Sequence, residues 1–263
     1  MSEAESQFND GAAYERLMGR WSKLVGREFL DWLAPGKNLS WLDVGCGNGA
    51  FTEEIIARCA PAKVAAVDPS EGQLAYARTR PGTNIAEFRT GDAQRLPFAD
   101  RSFDIVAMAL AISFVPDPAK AAAEMARVTR RGGMVATYMW DFSVGGAPVD
   151  PIYRALSAIG VEGPRPPSAG VATVEGLHEL WSKAGLQAVE ARHIKIDTVF
   201  SSAEDYWQSI ILPAGPQGVL IARMPAEQRE KLRRALDAQL RPGPDGRITV
   251  PGVASAVKGK VLA

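Results

Sequence analysis

The stretch that decides the fold is WLDVGCGNG at residues 41–49, a short apolar run that leads into three alternate glycines. Glycine adopts backbone conformations that other residues avoid and lets a ligand approach the chain closely. A helix that follows would direct its first N–H groups at that ligand. The stretch therefore predicts a strand, a ligand-binding loop and a helix. It fits a dinucleotide or S-adenosylmethionine, since Gly45, Gly47 and Ala50 also match the dinucleotide fingerprint.

Asp43, two residues before Gly45, favours one of these cofactors. A carboxylate beside a pyrophosphate would be repelled, whereas the ammonium and sulfonium groups of S-adenosylmethionine are cationic and would be attracted. The residue therefore indicates S-adenosylmethionine. The alternative is that Asp43 only orders the glycine loop.

Two further acids stand where predicted strands end. Asp68 closes the run VAAVD at residues 64–68, where a carboxylate can accept hydrogen bonds from both hydroxyls of a ribose. Its alternative role is a helix N-cap before Pro69. Asp92 lies 24 positions further on and could accept from the adenine amine, with the Ala93 N–H on a ring nitrogen. Otherwise its Gly-Asp pair is an ordinary turn.

Outward from the loop, short apolar runs alternate with helical stretches over residues 38–140, which is typical of a parallel, doubly wound sheet. We predict strands at 40–44, 63–67, 85–89, 103–109, 134–139, 186–196 and 248–262. We predict helices at 52–59, 72–80, 119–131, 151–159, 174–184, 203–212 and 225–240, after an N-terminal helix that ends before Pro35.

Composition excludes several classes of protein. The 263 residues are 46% hydrophobic and 23% charged, as in ordinary globular chains. Thirty Lys and Arg balance thirty Asp and Glu, so we expect no nucleic-acid partner. No apolar run reaches the roughly 18 residues of a membrane span, and the acidic N-terminus does not resemble a secretory signal. Two cysteines and two histidines predict neither a disulfide framework nor a metal site. We expect a cytoplasmic protein.

In combination, these motifs resemble the class I S-adenosylmethionine-dependent methyltransferases, especially the small-molecule branch that includes the ubiquinone/menaquinone-biosynthesis C-methyltransferases. The resemblance covers residues 42–49, 67–69, 91–98, 102–106, 114–118 and 124–133. It implies a Rossmann-like α/β fold with seven strands in the order 3-2-1-4-5-7-6, the last one antiparallel, and a helical lid.

The same resemblance implies the activity. A methyl group would pass from S-adenosylmethionine to an O, N or C nucleophile of a small, partly apolar molecule, leaving S-adenosylhomocysteine. An NAD-dependent oxidoreductase and a non-catalytic cofactor-binding module are the alternatives. No catalytic base can be named, because many relatives carry a His or an aromatic pair where this chain has Ile112, Ser113 and Phe114.

The resemblance also assigns residues to the parts of the cofactor. The glycine loop would hold the methionine end, closed over by two N-terminal residues. The second and third strand ends would hold the ribose and adenine, and the turn after the fourth strand would line the path to the methyl group. The methionine end is assigned to Asp43, Gly45, Cys46 and Gly47, with Tyr14 and Arg20 closing over it. The ribose is assigned to Asp68, Pro69, Ser70 and Gln73, and the adenine to Asp92 and Ala93. The path to the methyl group is assigned to Ala109, Leu110 and Ser113.

The remaining chain is predicted to cover the site. Residues 1–35 would form an N-terminal lid segment and helix, and residues 36–263 the methyltransferase domain, with lid insertions at about 141–170 and 202–241. Aromatic residues after the fifth strand, among them Trp140, Phe142 and Tyr153, could wall an apolar pocket. Arg130 and Arg131 would suit the negative end of the fourth helix. We expect His178 and His193 to be exposed or partly packed.

Overall fold

The computed structural model describes residues 11–212 and 215–262, without the side chains of residues 11–14, 16 and 17. Its centre is a seven-stranded sheet in the order β3-β2-β1-β4-β5-β7-β6. The strands are β1 Ser40–Val44, β2 Lys63–Asp68, β3 Ala86–Thr90, β4 Phe103–Ala109, β5 Thr129–Trp140, β6 Gln187–Phe200 and β7 Ile248–Lys260. Strand β7 runs antiparallel to both β5 and β6. The predicted strand order and the antiparallel last strand are confirmed.

Strand β1 lies at the point where the sheet is wound in two directions. It pairs in parallel with β2 on one side and with β4 on the other. Strands β1, β2 and β4 are almost wholly buried, as expected for parallel strands covered by helices on both faces. Ligands of such sheets bind outside the carboxyl ends of the strands at this switch point.

Nine helices lie within the described residues. They are α1 Gly11–Leu33, α2 Ala50–Cys59, α3 Glu71–Ala77, α4 Pro118–Val128, α5 Asp150–Ala158, α6 Val174–Lys183, α7 Ala203–Ile210, α8 Pro216–Ala222 and α9 Ala226–Asp237. The sequence did not predict α8 as a separate helix. Among the described residues, no helix combines the length and apolar character needed to cross a membrane.

The predicted helix at 119–131 is too long at its carboxyl end. Helix α4 starts at Pro118, directly after the N-cap Asp117, and ends at Val128. The Asp117 carboxylate accepts a hydrogen bond from the Lys120 N–H at 3.0 Å. Arg130 instead lies in β5, where its guanidinium donates to Asp104 at 2.7 Å. Both Arg130 and Arg131 thus lie in β5 just beyond the end of α4, where the register between β4 and β5 shifts.

Helix α1 is part of the core of the sheet. Met18, Trp21 and Val25 are buried, and the ring of Phe29 lies 4.6 Å from that of Tyr138 in β5. Buried residues of α1 between Met18 and Leu33 therefore share one hydrophobic core with the sheet.

Candidate active site

The loop after β1, residues 45–49, is tied to the end of β2, and we call it the glycine loop. The N–H groups of Gly45 and Cys46 donate to the Val67 carbonyl at 2.7 and 3.1 Å. The N–H of Gly47 donates to the Asp68 carboxylate at 2.9 Å. The structure thus brings the predicted loop residues and Asp68 together. Cys46 contributes its backbone here, and burial raises the pKa of its thiol well above the usual range.

The alternate glycines are required by backbone shape. Gly45, Gly47 and Gly49 have φ angles of +68°, +51° and +79°, which residues with a Cβ rarely adopt. A Cβ on Gly45 would also lie 2.7 Å from that of Ala111, whereas a Cβ on Gly47 would meet nothing within 4 Å. The space beside Gly47 is therefore open to a ligand.

Asp43 is a buried carboxylate with half of its hydrogen-bonding capacity unused. Its side chain is fully buried, and Oδ2 accepts from the Thr52 hydroxyl at 2.6 Å. Within the described residues, Oδ1 has no hydrogen-bond partner. Burial raises the pKa of Asp43 to about 7, against the opposing effect of the Thr52 bond. Such an oxygen is costly without a partner, and a cationic ligand group fits it better than a pyrophosphate.

Asp68 joins the glycine loop to helix α3. Besides the bond from Gly47, its carboxylate accepts the Ser70 N–H at 2.8 Å. Burial raises the pKa of Asp68, and the two N–H donors oppose that effect. Ser70, beyond Pro69, is the N-cap of α3, because its hydroxyl accepts the Gln73 N–H at 3.3 Å. The alternative that Asp68 is the cap is therefore wrong.

Asp92 lies in a turn after β3. Its carboxylate accepts the Gln94 N–H at 2.8 Å, and the preceding Gly91 N–H donates to the Asp68 carbonyl at 3.1 Å. Asp92 is exposed and Ala93 is partly buried. The turn thus ties the end of β3 to that of β2, next to Asp68.

The turn after β4 has an unusual backbone. Leu110, which follows Ala109, has a φ of +55°, strained for a leucine, and its N–H donates to the Tyr138 carbonyl at 2.9 Å. Ser113 is fully buried, and its hydroxyl has no partner among the described residues. Strained turns of this kind occur at functional sites.

The two N-terminal site residues are placed differently from the rest. The side chain of Tyr14 lies outside the described part of the chain. The Arg20 guanidinium donates to both carboxylate oxygens of Asp205 in α7, at 2.9 and 3.1 Å, and lies 5.0 Å from the Phe200 ring centroid. The predicted pairing of Arg20 with a methionine carboxylate would require this ion pair to open.

An apolar cavity that the sequence predicted only in part lies beside the turn after β4. Its volume is about 60 Å³. None of its lining residues carries a charged side chain. They are Met18, Leu110, Phe114, Met139, Trp140, Phe142, Pro148, Val149, Tyr153, Pro164, Pro166, Gly215, Pro216 and Gln217.

The aromatic walls of the cavity were predicted, but Met18 and Gln217 were not. These two lie in α1 and α8, far from the strand ends along the chain, and no spacing in the sequence points to them. Leu110 belongs both to the cavity and to the predicted path to the methyl group. The cavity therefore adjoins the predicted cofactor site.

A buried carboxylate anchors the segment that follows β5. Asp141 accepts from the Ser143 hydroxyl, from the Ser255 hydroxyl at 2.9 Å and from His193 Nε2 at 3.1 Å. Burial raises the pKa of the Asp141 carboxyl, but these hydrogen bonds outweigh that effect and hold the pKa below its usual range. His193 is thus half-exposed and paired, and the pair fixes the start of residues 141–170 to β6 and β7.

With this geometry in view, the chain can be compared with known proteins. Residues 42–137 match the family model described as a methyltransferase domain. Over these residues the chain is similar to methyltransferase domains. This confirms the resemblance drawn from the sequence and does not support a dinucleotide-dependent oxidoreductase.

Curated relatives of the methyltransferase domain act on different acceptors, as their names state. One is a demethylmenaquinone methyltransferase of Renibacterium salmoninarum, 37% identical over 60% of this chain and 65% of the relative. Another is a malonyl-[acyl-carrier protein] O-methyltransferase of Erwinia pyrifoliae, 37% identical over 42% of this chain and 40% of the relative. The chain spans between 25% and 65% of the length of the curated relatives it matches.

The fold extends beyond the methyltransferase domain match. Phosphoethanolamine N-methyltransferase 2 of Haemonchus contortus, solved with S-adenosyl-L-methionine, superimposes with a TM-score of 0.58. The match covers 95% of this chain and 56% of the other at 17% identity. At this identity the likeness shows the fold, and the acceptor has to be argued from the site.

Proposed function

We propose that the protein is an S-adenosylmethionine-dependent methyltransferase that acts on a small, uncharged, largely apolar molecule. The observation that carries the cofactor is Asp43, a buried carboxylate at the base of the glycine loop whose Oδ1 has no hydrogen-bond partner among the described residues. The observation that carries the acceptor is the uncharged wall of the cavity at Leu110. A cytoplasmic location is part of the proposal, because both cysteines are free.

The residues present fit the cofactor. Asp43 offers negative charge to its cationic methionine end, and the open side of Gly47 leaves room for it. Asp68 keeps lone pairs for ribose hydroxyls beyond the two N–H groups it accepts, and Asp92 with Ala93 would contact adenine. When bound, S-adenosylmethionine would supply a methyl group already activated by its sulfonium leaving group.

The protein's own part in the reaction is to hold the acceptor and exclude water. An oriented pair of reactants can gain most of the rate from proximity alone. Burial raises the pKa of Tyr153 in the cavity wall to about 12, so this phenol stays protonated at neutral pH and is no general base. Among the described residues, the lining contains no carboxylate, imidazole or amine. The acceptor atom would therefore have to be nucleophilic without help from the wall.

The cavity also favours one class of acceptor among those named for the relatives. A malonyl group carries a free carboxylate, and burying a charge without a partner is strongly unfavourable. A quinone-type ring is uncharged and largely apolar. The wall of this cavity suits the second chemistry.

Isothermal titration of the purified protein with S-adenosylmethionine, S-adenosylhomocysteine and NAD⁺ tests the cofactor. We expect one binding site for the first two and none for NAD⁺. Preferential binding of NAD⁺ would contradict the proposal. Incubation with labelled S-adenosylmethionine and a pooled small-molecule extract then separates an enzyme from a binding module, since only the enzyme transfers label to the extract.

A further inference from the structure

Arg80 joins the glycine loop to two helices. It follows α3, and its side chain is only 8% exposed. The guanidinium donates through Nε to the Asn48 carbonyl and through Nη1 to Glu53 of α2, both at 2.7 Å. Its Nη2 donates to Glu15 of α1. One side chain thus contacts the glycine loop and helices on two sides of it.

Asn48, the residue between two glycines of the loop, is held from several directions. Its side-chain amide donates to the same Glu15 carboxylate at 3.1 Å, and its Oδ1 accepts the Ala50 N–H at 3.2 Å. Together with the bond from Arg80, these contacts fix both the backbone and the side chain of Asn48. Glu15 and Arg80 are 65 positions apart in the sequence.

The backbone of Arg80 is itself fixed, so the guanidinium has a firm base. The Thr83 hydroxyl donates to the Arg80 carbonyl at 2.9 Å and can also donate to the Ala77 carbonyl at 2.8 Å. Two carboxylates, Glu15 and Glu53, face Arg80, and Lys23 lies 3.9 Å from Glu15. The cluster therefore balances its charges and needs no external ion.

A loop with left-handed glycines on both sides of Asn48 is intrinsically free to take other shapes. Ligand affinity rises when a binding loop is held in its bound shape beforehand. We propose that Arg80 is a positioning residue that holds the glycine loop in its cofactor-binding shape and couples it to helix α1 through Glu15. This inference rests on the proposed cofactor, but it concerns residues outside the cofactor contacts.

The chain offers a matched control two residues away. Arg78 forms an ion pair with Glu71 at 2.6 Å, with side chains 44% and 62% exposed, and neither residue bonds to the glycine loop. Replacing Arg78 or Arg80 by Gln removes the same charge from neighbouring positions. Only the second change removes the bond to Asn48.

The experiment compares Arg80→Gln, Glu15→Gln, the double variant and Arg78→Gln. S-adenosylhomocysteine affinity is measured by titration, thermal melting without ligand by calorimetry, and exchange of the loop amides by mass spectrometry. We expect Arg80→Gln to weaken affinity about 10-fold or more, since it removes charge-assisted hydrogen bonds. Glu15→Gln should act in the same direction, and the double variant should be no worse than Arg80→Gln, because the residues form one unit. Arg78→Gln should change affinity less than about twofold, as for an exposed ion pair.

Two results would overturn the inference. One is a lower melting temperature of Arg80→Gln with unchanged affinity and loop exchange in the folded protein, which means that Arg80 is only structural. The other is equal loop exchange in Arg78→Gln and Arg80→Gln. If Arg80→Gln does not fold, Glu15→Gln decides, because its carboxylate is 24% exposed. If the wild-type protein does not bind S-adenosylhomocysteine, the proposed function fails, whereas faster loop exchange in the unliganded variants still supports the positioning role.

Discussion

The two halves of the carboxyl edge of the sheet differ in chemistry and in origin. At β1 and β2, the edge presents the buried carboxylates of Asp43 and Asp68 beside the glycine loop. At β4 and β5 it presents the strained Leu110 and an apolar cavity whose described lining residues have no charged side chain. The polar half is suited to a charged cofactor, and the apolar half to an uncharged acceptor.

The halves also differ in how they are built. In the polar half, the groups that touch one another come from consecutive strand ends, as when Asp68 accepts the N–H groups of Gly47 and Ser70. In the apolar half, α1, β5 and α8 each contribute wall residues from distant parts of the chain. The polar half is therefore built from strand ends that follow one another along the chain, and the cavity wall depends on how the helices pack.

The largest effect expected is in the polar half. Asp68→Ala should weaken S-adenosylmethionine binding about 30- to 1000-fold, that is by about 2–4 kcal/mol, through loss of two ribose hydrogen bonds. Stability should fall by about 1–3 kcal/mol as well, because the Gly47 and Ser70 N–H groups lose their acceptor. Titration and thermal melting measure both effects.

Thr173→Ala is the matched control for this prediction. It removes the N-cap of α6, whose hydroxyl accepts the Gly176 N–H at 2.9 Å, and should lower stability by about 1 kcal/mol while leaving cofactor affinity nearly unchanged. Near-native affinity of folded Asp68→Ala would show that Asp68 serves the fold alone.

The apolar half is tested by a pair of probes of similar size, 2-naphthol and 2-naphthoate. The uncharged naphthol should bind at least about 10-fold more tightly in the presence of S-adenosylhomocysteine, because the described wall residues offer no cationic partner to a carboxylate. Phe142→Arg should reverse this preference while cofactor affinity changes less than about twofold. Fluorescence titration measures the binding, and equal affinity for both probes would contradict an uncharged acceptor.

Asp43 predicts a pH dependence of cofactor binding. Burial raises its pKa to about 7, so raising the pH from 6 to 8 ionises the carboxylate and should increase affinity for a cationic ligand several-fold, on the order of 3- to 10-fold. Asp43→Asn should flatten this dependence. Titration at a series of pH values measures it, and an unchanged pH profile in the variant would contradict the role of Asp43.

Asp43→Asn should also change how the stability of the unliganded protein depends on pH, in the direction opposite to that of cofactor binding. An acid whose pKa is raised in the folded state favours folding at low pH, and that contribution is lost as the pH rises from about 4 to 7. Asp43→Asn cannot ionise and should therefore stabilise the unliganded protein at pH 8 by about 1 kcal/mol or more. Denaturant unfolding at pH 5 and pH 8 measures the difference, which should be larger at the higher pH.

The smallest expected effect lies at the border of the apolar half. His193→Ala should lower stability by less than about 1 kcal/mol at pH 7, since the ring is 38% exposed and Asp141 keeps its serine donors. Ser255→Ala should destabilise more, by about 1–2 kcal/mol, because its hydroxyl is fully buried. Denaturant unfolding compares the two, and a larger loss for His193→Ala would make the His193–Asp141 pair the main anchor.

Predictions from the sequence were reliable where they rested on the spacing of motifs along consecutive strands. The strand order and the meeting of Asp43, the glycine loop and Asp68 followed from motif spacing, because parallel strands end at the same edge of a sheet. The same reasoning left Asp68 open as the N-cap of α3, a role that Ser70 has. It also extended α4 through Arg131, because helix ends are the least certain part of a prediction from sequence.

By itself, then, the sequence determined the sheet, the glycine loop and the family to which residues 42–137 belong. Only the tertiary structure decided that α1 lies in the core, that Arg80 reaches both Asn48 and Glu15, and that Met18 and Gln217 share a cavity with Leu110. Glycine φ angles and strand-end carboxylates act within a few residues of the backbone that holds them. An ion pair or a cavity wall depends on the packing of helices that no local pattern encodes.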